Sequence, residues 1–579
     1  MELENMSSLE PRKRRSKSSL TSYDNNSINE FSKNNRILDI MKSRLFISIL
    51  IVSVVFIVLA CIGIVVIYEK ENEVVVTVEA WKDDLSDEQA EWFDSGLSEL
   101  KVALSVKQNK RRAKNVVLFV GDGMGQSTVT ATRIHKFGEQ GLLSWEKFPH
   151  VGLLKTYCFD KQVPDSTSTA TALFGGVKTN YETGGVDSGV PLANCEASLN
   201  ATHHVDSILQ WAQDEGMSTG FVTTTRVMHA TPAALFAHTA DRRWECEATM
   251  PDSVRAKGCK DIARQLVENV PGKNLNVIMG GGRQCLVSNV TGTADDPIDT
   301  WGCISMDRRN LIEDWKKDKM KRGFRASVLQ TNNDLDKLDT ANTDFVLGIF
   351  ANGHMRYDYE RKNRSTGMPS LKQMTLAAVS VLSKNQKGFI LVVEGGLIDQ
   401  AHHRGWARKA VSETSAMDEA VNATLDILKH EMDESLIIVT ADHSHSLSIN
   451  GYAGRGQDIF GIAQKSKIDG IPYTTLTYAT GGPNGFQVEN DEHGMPRRRD
   501  PTTQDTTAYD YVQQVAILTD ENAHTGSDVA VYAIGPMAHL IHKVHEQSYI
   551  AHVISYAARI GRFRDNRIVQ AILDLFHLN

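Results

Sequence analysis

The sequence predicts an α/β fold, a sheet of apolar strands covered by helices, held outside a membrane by an N-terminal anchor. Three observations carry that expectation. Short apolar runs recur at Val116–Val120, Phe221–Thr225, Asn276–Met279, Phe389–Val393, Leu436–Thr440 and Val529–Ile534. Amphipathic stretches lie between them, at His204–Glu215, Ile262–Val270, Met374–Leu382 and Met417–Met432, the alternation expected when helices cover a sheet. Ahead of both stands one long uncharged stretch, Leu45–Tyr68. Composition agrees: a chain of 579 residues that is 41% hydrophobic is too apolar for a disordered protein and too polar for a polytopic membrane protein. A net charge of −8 excludes a basic nucleic-acid binder, so no nucleic-acid-binding domain is expected.

The elements follow in chain order. Residues 1–44 form a polar leader carrying Arg12, Lys13, Arg14, Arg15, Lys17, Lys42 and Arg44. Leu45–Tyr68 would reach about 36 Å as a helix, more than the ~30 Å of a hydrocarbon core. A cleaved signal peptide fits badly, because its apolar stretch is shorter and nearer the terminus. The basic leader on one side and Glu69, Lys70 and Glu71 on the other place the leader in the cytoplasm and residues 69–579 outside. The expected protein is single-pass and at the cell surface. Residues 69–110 read as a stalk with an amphipathic segment at Trp81–Leu104, and the globular domain occupies 111–579.

Of seven cysteines, Cys61 lies in the span. Cys158, Cys195, Cys246, Cys259, Cys285 and Cys303 remain outside, an even set in an oxidising compartment whose pairing the sequence leaves open. Asn200, Asn289, Asn363 and Asn422 begin glycosylation sequons on the outer side. Asn25 begins another in the leader, where it should stay bare.

Several apolar runs end in metal-binding residue types. Asp122 follows the first within Gly-Asp-Gly-Met-Gly, Glu394 and Asp399 follow Val393 with His402 and His403 close behind, and Asp442, His443 and His445 follow Thr440. Ligands of open α/β sheets sit beyond the carboxyl ends of the strands. A single Asp there is commonly a turn or helix cap; so many carboxylates and imidazoles on one edge would repel one another without cations. Imidazole with carboxylate suits zinc, and an all-oxygen set suits magnesium. Val163-Pro164-Asp165-Ser166-Thr167 opens a run of small residues, which reads as a turn into a helix with a hydroxyl at its anion-favouring end. Alone, Ser166 there could be no more than a cap.

The segments around Asp122 (GDGMG), Ser166 (PDS), His229 (VMHATPAA) and Arg242 (HTADRRW), with VEGGLIDQAHH, VTADHSH and AHTGSDVAV, resemble the animal alkaline phosphatases. They stand in that family's order from about Trp92 to Ala557. The resemblance implies a large, mixed but mostly parallel central sheet flanked by helices, with a small crown insertion at about 446–522. It implies a phosphomonoesterase acting on diverse phosphate monoesters with two zinc ions and one magnesium ion per subunit. Ser166 would be the nucleophile that carries the phosphoryl group, and Arg242 the clamp on two phosphate oxygens. Asp399, His403 and His524 would hold one zinc, and Asp122, Asp442 and His443 the other. Thr231 and Glu394, sharing Asp122, would hold magnesium, with Asp165, His229, His402 and His445 behind the ligands. The resemblance also implies a Cys195–Cys259 disulfide and a homodimer to which the arm at Trp81–Leu104 contributes; Cys285 and Cys303 are close enough in sequence to pair, which would leave over Cys158 and Cys246.

Departures from the family pattern carry expectations too. A fourth, calcium-type site is expected to be absent, because Ala351 and Met368 stand where acidic residues would be. Thr167 replaces a smaller residue, and its backbone N–H should still face the phosphate. The chain stops at Phe576-His577-Leu578-Asn579 without an apolar tail, so the N-terminal span takes the anchor's place. Two rival readings are a same-scaffold phosphodiesterase, against which Arg242 and Ser166 argue, and an inactive surface receptor, against which the intact ligand set argues.

Overall fold

The computed structural model describes residues 43–44, 47–61, 85–363 and 367–564, the Asn363 side chain excepted. The chain divides at Val102 into two units. In the first, residues 47–61 are helical with exposed apolar side chains, Phe56 among them. Among the described residues no helix is long and apolar enough to cross a membrane. The ends of the expected span, most of the leader with Asn25, and residues 62–84 lie outside the described residues. The expected amphipathic arm appears as helix α1, Asp87–Ser105, which buries no side chain.

The second unit is built on a ten-stranded sheet. Its strands are β1 (Asn115–Gly121), β2 (His150–Lys155), β3 (Ser218–Arg226), β4 (Val277–Gly281), β5 (Ala326–Leu329), β6 (Phe345–Ile349), β7 (Phe389–Gly395), β8 (Ser435–Ala441), β9 (Val529–Ile534) and β10 (Lys543–Glu546). Their order is β10-β2-β9-β8-β1-β7-β3-β4-β6-β5. Only β9 runs against the rest, pairing antiparallel with both β2 and β8. The central strands β1, β7 and β8 are buried along their whole length, which is why they read as unbroken apolar runs: helices cover both faces of a mostly parallel sheet. Each fully buried side chain such as Leu118, Val393 or Ile438 contributes roughly 2 kcal/mol of transfer free energy.

The helices that matter for the cleft are α2 (Gln126–Phe137), α3 (Ser166–Gly175), α4 (Ala230–Ala233), α5 (Leu371–Leu382), α6 (Leu397–His403) and α7 (Ala407–Ile427). Helix α5 opens with a capping box in which Ser370 and Gln373 bond each other's backbone, so it starts ahead of the apolar periodicity at Met374. Helix α7 begins at Ala407, not Met417. Its first turns bury Ala407, Ala410 and Val411 beside charged neighbours that mask the pattern in sequence. Strands β2, β5, β6 and β10 were not expected: β2 alternates between exposed and buried positions, and Gly348 interrupts β6.

Two disulfides form, Cys195–Cys259 and Cys246–Cys303. The second corrects the expected Cys285–Cys303 pair. Closeness in sequence misleads here, because the Gln284 side chain donates to the carbonyls of Asp299 and Cys303 and folds that loop back. Cys303 then lies 5.8 Å (Cα–Cα) from Cys246. Cys285 keeps a free buried thiol aimed at the Cys303 carbonyl, and Cys158 is likewise free and buried. Residues 446–522 hold separate small sheets: Leu447–Ile449 with Leu476–Gly481 and Val515–Leu518, Ile462–Lys465 with Pro472–Thr474, and Val488–Asn490 with Pro496–Arg498. Asn200, Asn289 and Asn422 are exposed; the Asn363 side chain lies outside the described residues.

Candidate active site and metal centre

Strand register assembles the first group of acids. Val120 pairs with Glu394 on one side and with Thr440 on the other, so Asp122 and Asp442 both project just past the same sheet edge. All three carboxylates are buried. Burial and mutual repulsion push Asp122 well above the usual carboxylate range, and burial pushes Glu394 and Asp442 up to about 7. His443 follows Asp442 and turns its Nε2 to within 3.4 Å of Asp122 Oδ1 and 3.3 Å of Asp442 Oδ2. Burial and the neighbouring His524 hold its imidazole well below the usual histidine value, so it is neutral and free to ligate.

Ser166 reaches this group from the first position of α3. Asp165 caps that helix, accepting from the N–H groups of Thr167 and Ser168. The Thr167 N–H is therefore spent on Asp165 Oδ2 at 3.0 Å and does not face a phosphate, which corrects the expectation. Ser166 Oγ lies 3.1 Å from His443 Nε2 and 3.4 Å from Asp122 Oδ1. Asp165 also accepts from Arg242 Nη1 at 3.2 Å, fixing the guanidinium beside the serine in a cavity of about 1390 Å³.

The second group stands on α6 and a later loop. Asp399 and His403 share one face of α6, four residues apart. His524 enters from the strand segment His524–Thr525, which pairs with Ser444–His445. His403 Nδ1 donates to the Asn522 carbonyl and His524 Nδ1 to that of Pro164, both at 2.9 Å. Their Nε2 atoms therefore face each other across 3.1 Å, each 3.3 Å from Asp399 Oδ1. Two lone pairs and a carboxylate cannot share that space without a cation. Burial lowers the His403 pKa, but Asp399 outweighs it and raises the imidazole above its usual value. The donor set, two imidazoles and a carboxylate with fixed tautomers, fits zinc.

Four buried acceptors or donors near Glu394 stay unpaired. Thr223 and Thr225 both donate to Glu394 Oε2, leaving Oε1 alone, and Asp122 Oδ2, Thr231 Oγ1 and His229 Nδ1 lack partners as well. Thr231, on α4, faces Glu394 without a hydrogen bond of good geometry. Three such oxygens form the all-oxygen set that fits magnesium. His229 is buried with its pKa pushed well down, and its ring packs edge-on against His354 at 4.9 Å.

The structure thus brings together the residues expected from the sequence to hold metals, and among the described residues Asp399, His443, His445 and His524 form one group that could hold an ion and Asp122, Asp442 and His443 another. Asn522 donates to His445 Nδ1, so His445 Nε2 carries the proton and gives it to Asp399 Oδ1 at 2.5 Å. His402 faces away, toward Thr128 Oγ1 and the Tyr478 hydroxyl. Asn522, Thr223, Thr225 and Gln547, whose amide donates to the Asp442 carbonyl, were missed. None of the four left a signal in the sequence, although Asn522 stands two residues ahead of His524. Ala351 and Met368, at the expected fourth site, are buried apolar side chains.

The alkaline phosphatase family model matches residues 113–560. The human tissue-nonspecific alkaline phosphatase isozyme is 42% identical over 479 residues, 81% of this chain and 88% of that protein. The membrane-bound alkaline phosphatase of Bombyx mori is 40% identical over 467 residues, covering 79% and 82%. Among solved structures, the Thermus thermophilus alkaline phosphatase superposes with a TM-score of 0.55 at 21% identity, covering 78% of this chain and 92% of that one. The Antarctic TAB5 enzyme superposes at 0.52, also at 21% identity, covering 78% and 100%.

Proposed function

Because the chain belongs to the alkaline phosphatase family of phosphate-monoester hydrolases, we propose that it is an extracellular, zinc- and magnesium-dependent phosphomonoesterase working through a phosphoserine on Ser166. The observation that carries this reading is Ser166 Oγ itself, presented at a helix start 3.1 Å from His443 and 3.4 Å from Asp122. Asp122, Asp442 and His443 would hold one zinc, Asp399, His403 and His524 the other, and Asp122, Thr231 and Glu394 the magnesium. Bound there, the ions supply Lewis acidity at the attacking and leaving oxygens.

The chain's own groups do the rest. Ser166 Oγ attacks phosphorus, the ester P–O bond breaks, and the alcohol departs toward Asp399, His403 and His524. Water then cleaves the phosphoserine, releasing inorganic phosphate and restoring the hydroxyl. Arg242, fixed by Asp165, grips two nonbridging oxygens with a planar fork that a lysine does not reproduce. Asn522 and the Pro164 carbonyl hold the imidazole tautomers.

The same reading places the enzyme at the cell membrane, with residues 45–68 as anchor, 1–44 inside, 69–110 as stalk and 446–522 as crown. The membrane-bound relative from Bombyx mori supports that placement. Exposed Asn200, Asn289 and Asn422 are available for glycosylation, and the exposed apolar side chains of α1, Trp92, Phe93 and Leu100 among them, suit a homodimer arm. The test is hydrolysis of a chromogenic phosphate monoester by the purified chain with zinc and magnesium. Activity lost both in Ser166→Ala and with chelator is the expected result. A folded, metal-loaded chain without activity would sink the proposal.

A further inference from the structure

Ser166 stands against Asp122 and His443, so in-line displacement sends the leaving alcohol to the opposite side, past Asp399, His403 and His524. Helix α6 ends there at His403, and Arg404 is the next residue. Its Nη1 donates to the carbonyl and the side-chain oxygen of Gln400, at 3.0 and 3.1 Å. The guanidinium so fixed lies 5.5 Å from the centre of the Trp301 ring and 5.8 Å from that of Trp406, within cation–π range.

Trp301 is 80% exposed and lines the same cavity as Arg242 and His403. The main chain that carries it is tethered on both sides: the Trp301 backbone N–H donates to Asp299 Oδ1 at 3.0 Å, while Asp299 Oδ2 accepts from buried Arg226 at 2.6 Å. Two residues further on, Cys303 is disulfide-bonded to Cys246. Gly302 between them has no spare room, since an added Cβ would meet the Arg226 side chain at 3.1 Å. The result is an indole on an anchored main chain beside a fixed guanidinium, lining the cavity that His403 and His524 also line.

We propose that Trp301 and Arg404 form a leaving-group subsite for planar aromatic rings, selecting phosphate monoesters whose alcohol carries such a ring over aliphatic ones. The inference rests on the phosphomonoesterase reading. A flat ring stacks on the indole and meets the guanidinium at its edge, whereas a glycerol moiety gains neither contact. This binding is equal in ground and transition states, so it lowers KM and leaves kcat nearly unchanged.

The experiment measures kcat and KM of the full chain with zinc and magnesium on 4-nitrophenyl phosphate, adenosine 5′-monophosphate and glycerol 2-phosphate. Trp301→Ala and Arg404→Gln are expected to raise KM about 10-fold on a ring substrate. On glycerol 2-phosphate the change should stay within about twofold, and Trp301→Phe should recover most of the loss. Whether the nitrophenyl or the adenosine arm responds tells whether the ring must sit on the ester oxygen or one sugar away. Equal changes on all three substrates, or none, overturn the subsite and leave the phosphatase reading standing. If the metal-loaded wild type hydrolyses none of the three, the phosphatase reading falls and the subsite with it.

Discussion

Asp122, Glu394 and Asp442 sit at the ends of three neighbouring strands, whereas Asp399 and His403 sit on a helix and His524 comes from a segment 121 residues beyond His403. The first wall of the cleft is wholly buried; in the second, the His403 and His524 side chains are 17% and 12% exposed. Ladder pairing sets the spacing of the strand-borne acids, and Thr223, Thr225 and Gln547 brace them. The helix-and-loop wall instead depends on Asn522 and Pro164, whose carbonyls hold the two imidazoles. The contrast teaches that both walls crowd acceptors that call for a cation, but one is preformed by secondary structure while the other is assembled by tertiary contacts.

Breaking the strand-borne wall has the largest expected effect. Asp442→Asn should lower kcat/KM by about a thousandfold or more, measured by initial rates. The metal-stripped variant should nevertheless melt above the metal-stripped wild type at pH 8, because one of three crowded acids is gone. A lower melting temperature there would contradict the claim of stored repulsion. Between the walls, Arg242→Lys should cost about 100-fold in kcat/KM, since the bidentate fork is lost while the charge remains.

The assembled wall is probed more gently. Asn522→Ala keeps the backbone carbonyl under His403 but removes the amide that donates to His445 Nδ1 and to the His402 carbonyl, and should weaken zinc binding by about 10-fold at the proposed Asp399 position alone. Competition with a chelator would then become biphasic where the wild type gives a single phase, and a uniform weakening would refute the division of labour. The smallest effect is on the pH dependence of stability. In the stripped protein Glu394 and Asp442 titrate at about 7 instead of 4.5 and 3.8. The folded state therefore binds more protons between about pH 4 and 7, and stability falls as pH rises through that window. Melting temperatures of the stripped chain should decline from pH 5 to pH 8, and added zinc should flatten the decline.

The strand-borne wall was legible in sequence, because an apolar run that ends in Asp or Glu announces both a strand and its carboxyl end. Six of the ten strands of the main sheet were found this way, and the residues proposed to hold metals were picked out this way or through the family resemblance. Edge strands such as β2 escaped because half of their side chains face water. The supports escaped for a different reason. Asn522 acts through its carbonyl and amide on residues far away in the chain, and no local pattern marks such a residue. Cys303 shows the same limit, since its partner was decided by how the Gln284 loop folds and not by spacing.

The two-residue ladder that joins Ser444–His445 to His524–Thr525 has one more consequence. It closes the base of everything between residues 446 and 522, with His445 and His524 paired directly across it. Lengthening a closed loop costs only about 0.6 kcal/mol per doubling, so an exposed turn of the segment, such as the one around Ile468, is a natural splice point while Tyr478 and Asn522 keep their contacts. Sequences of other lengths can be grafted there, changing what the enzyme presents to its surroundings while the ring of His524 stays where the chemistry needs it.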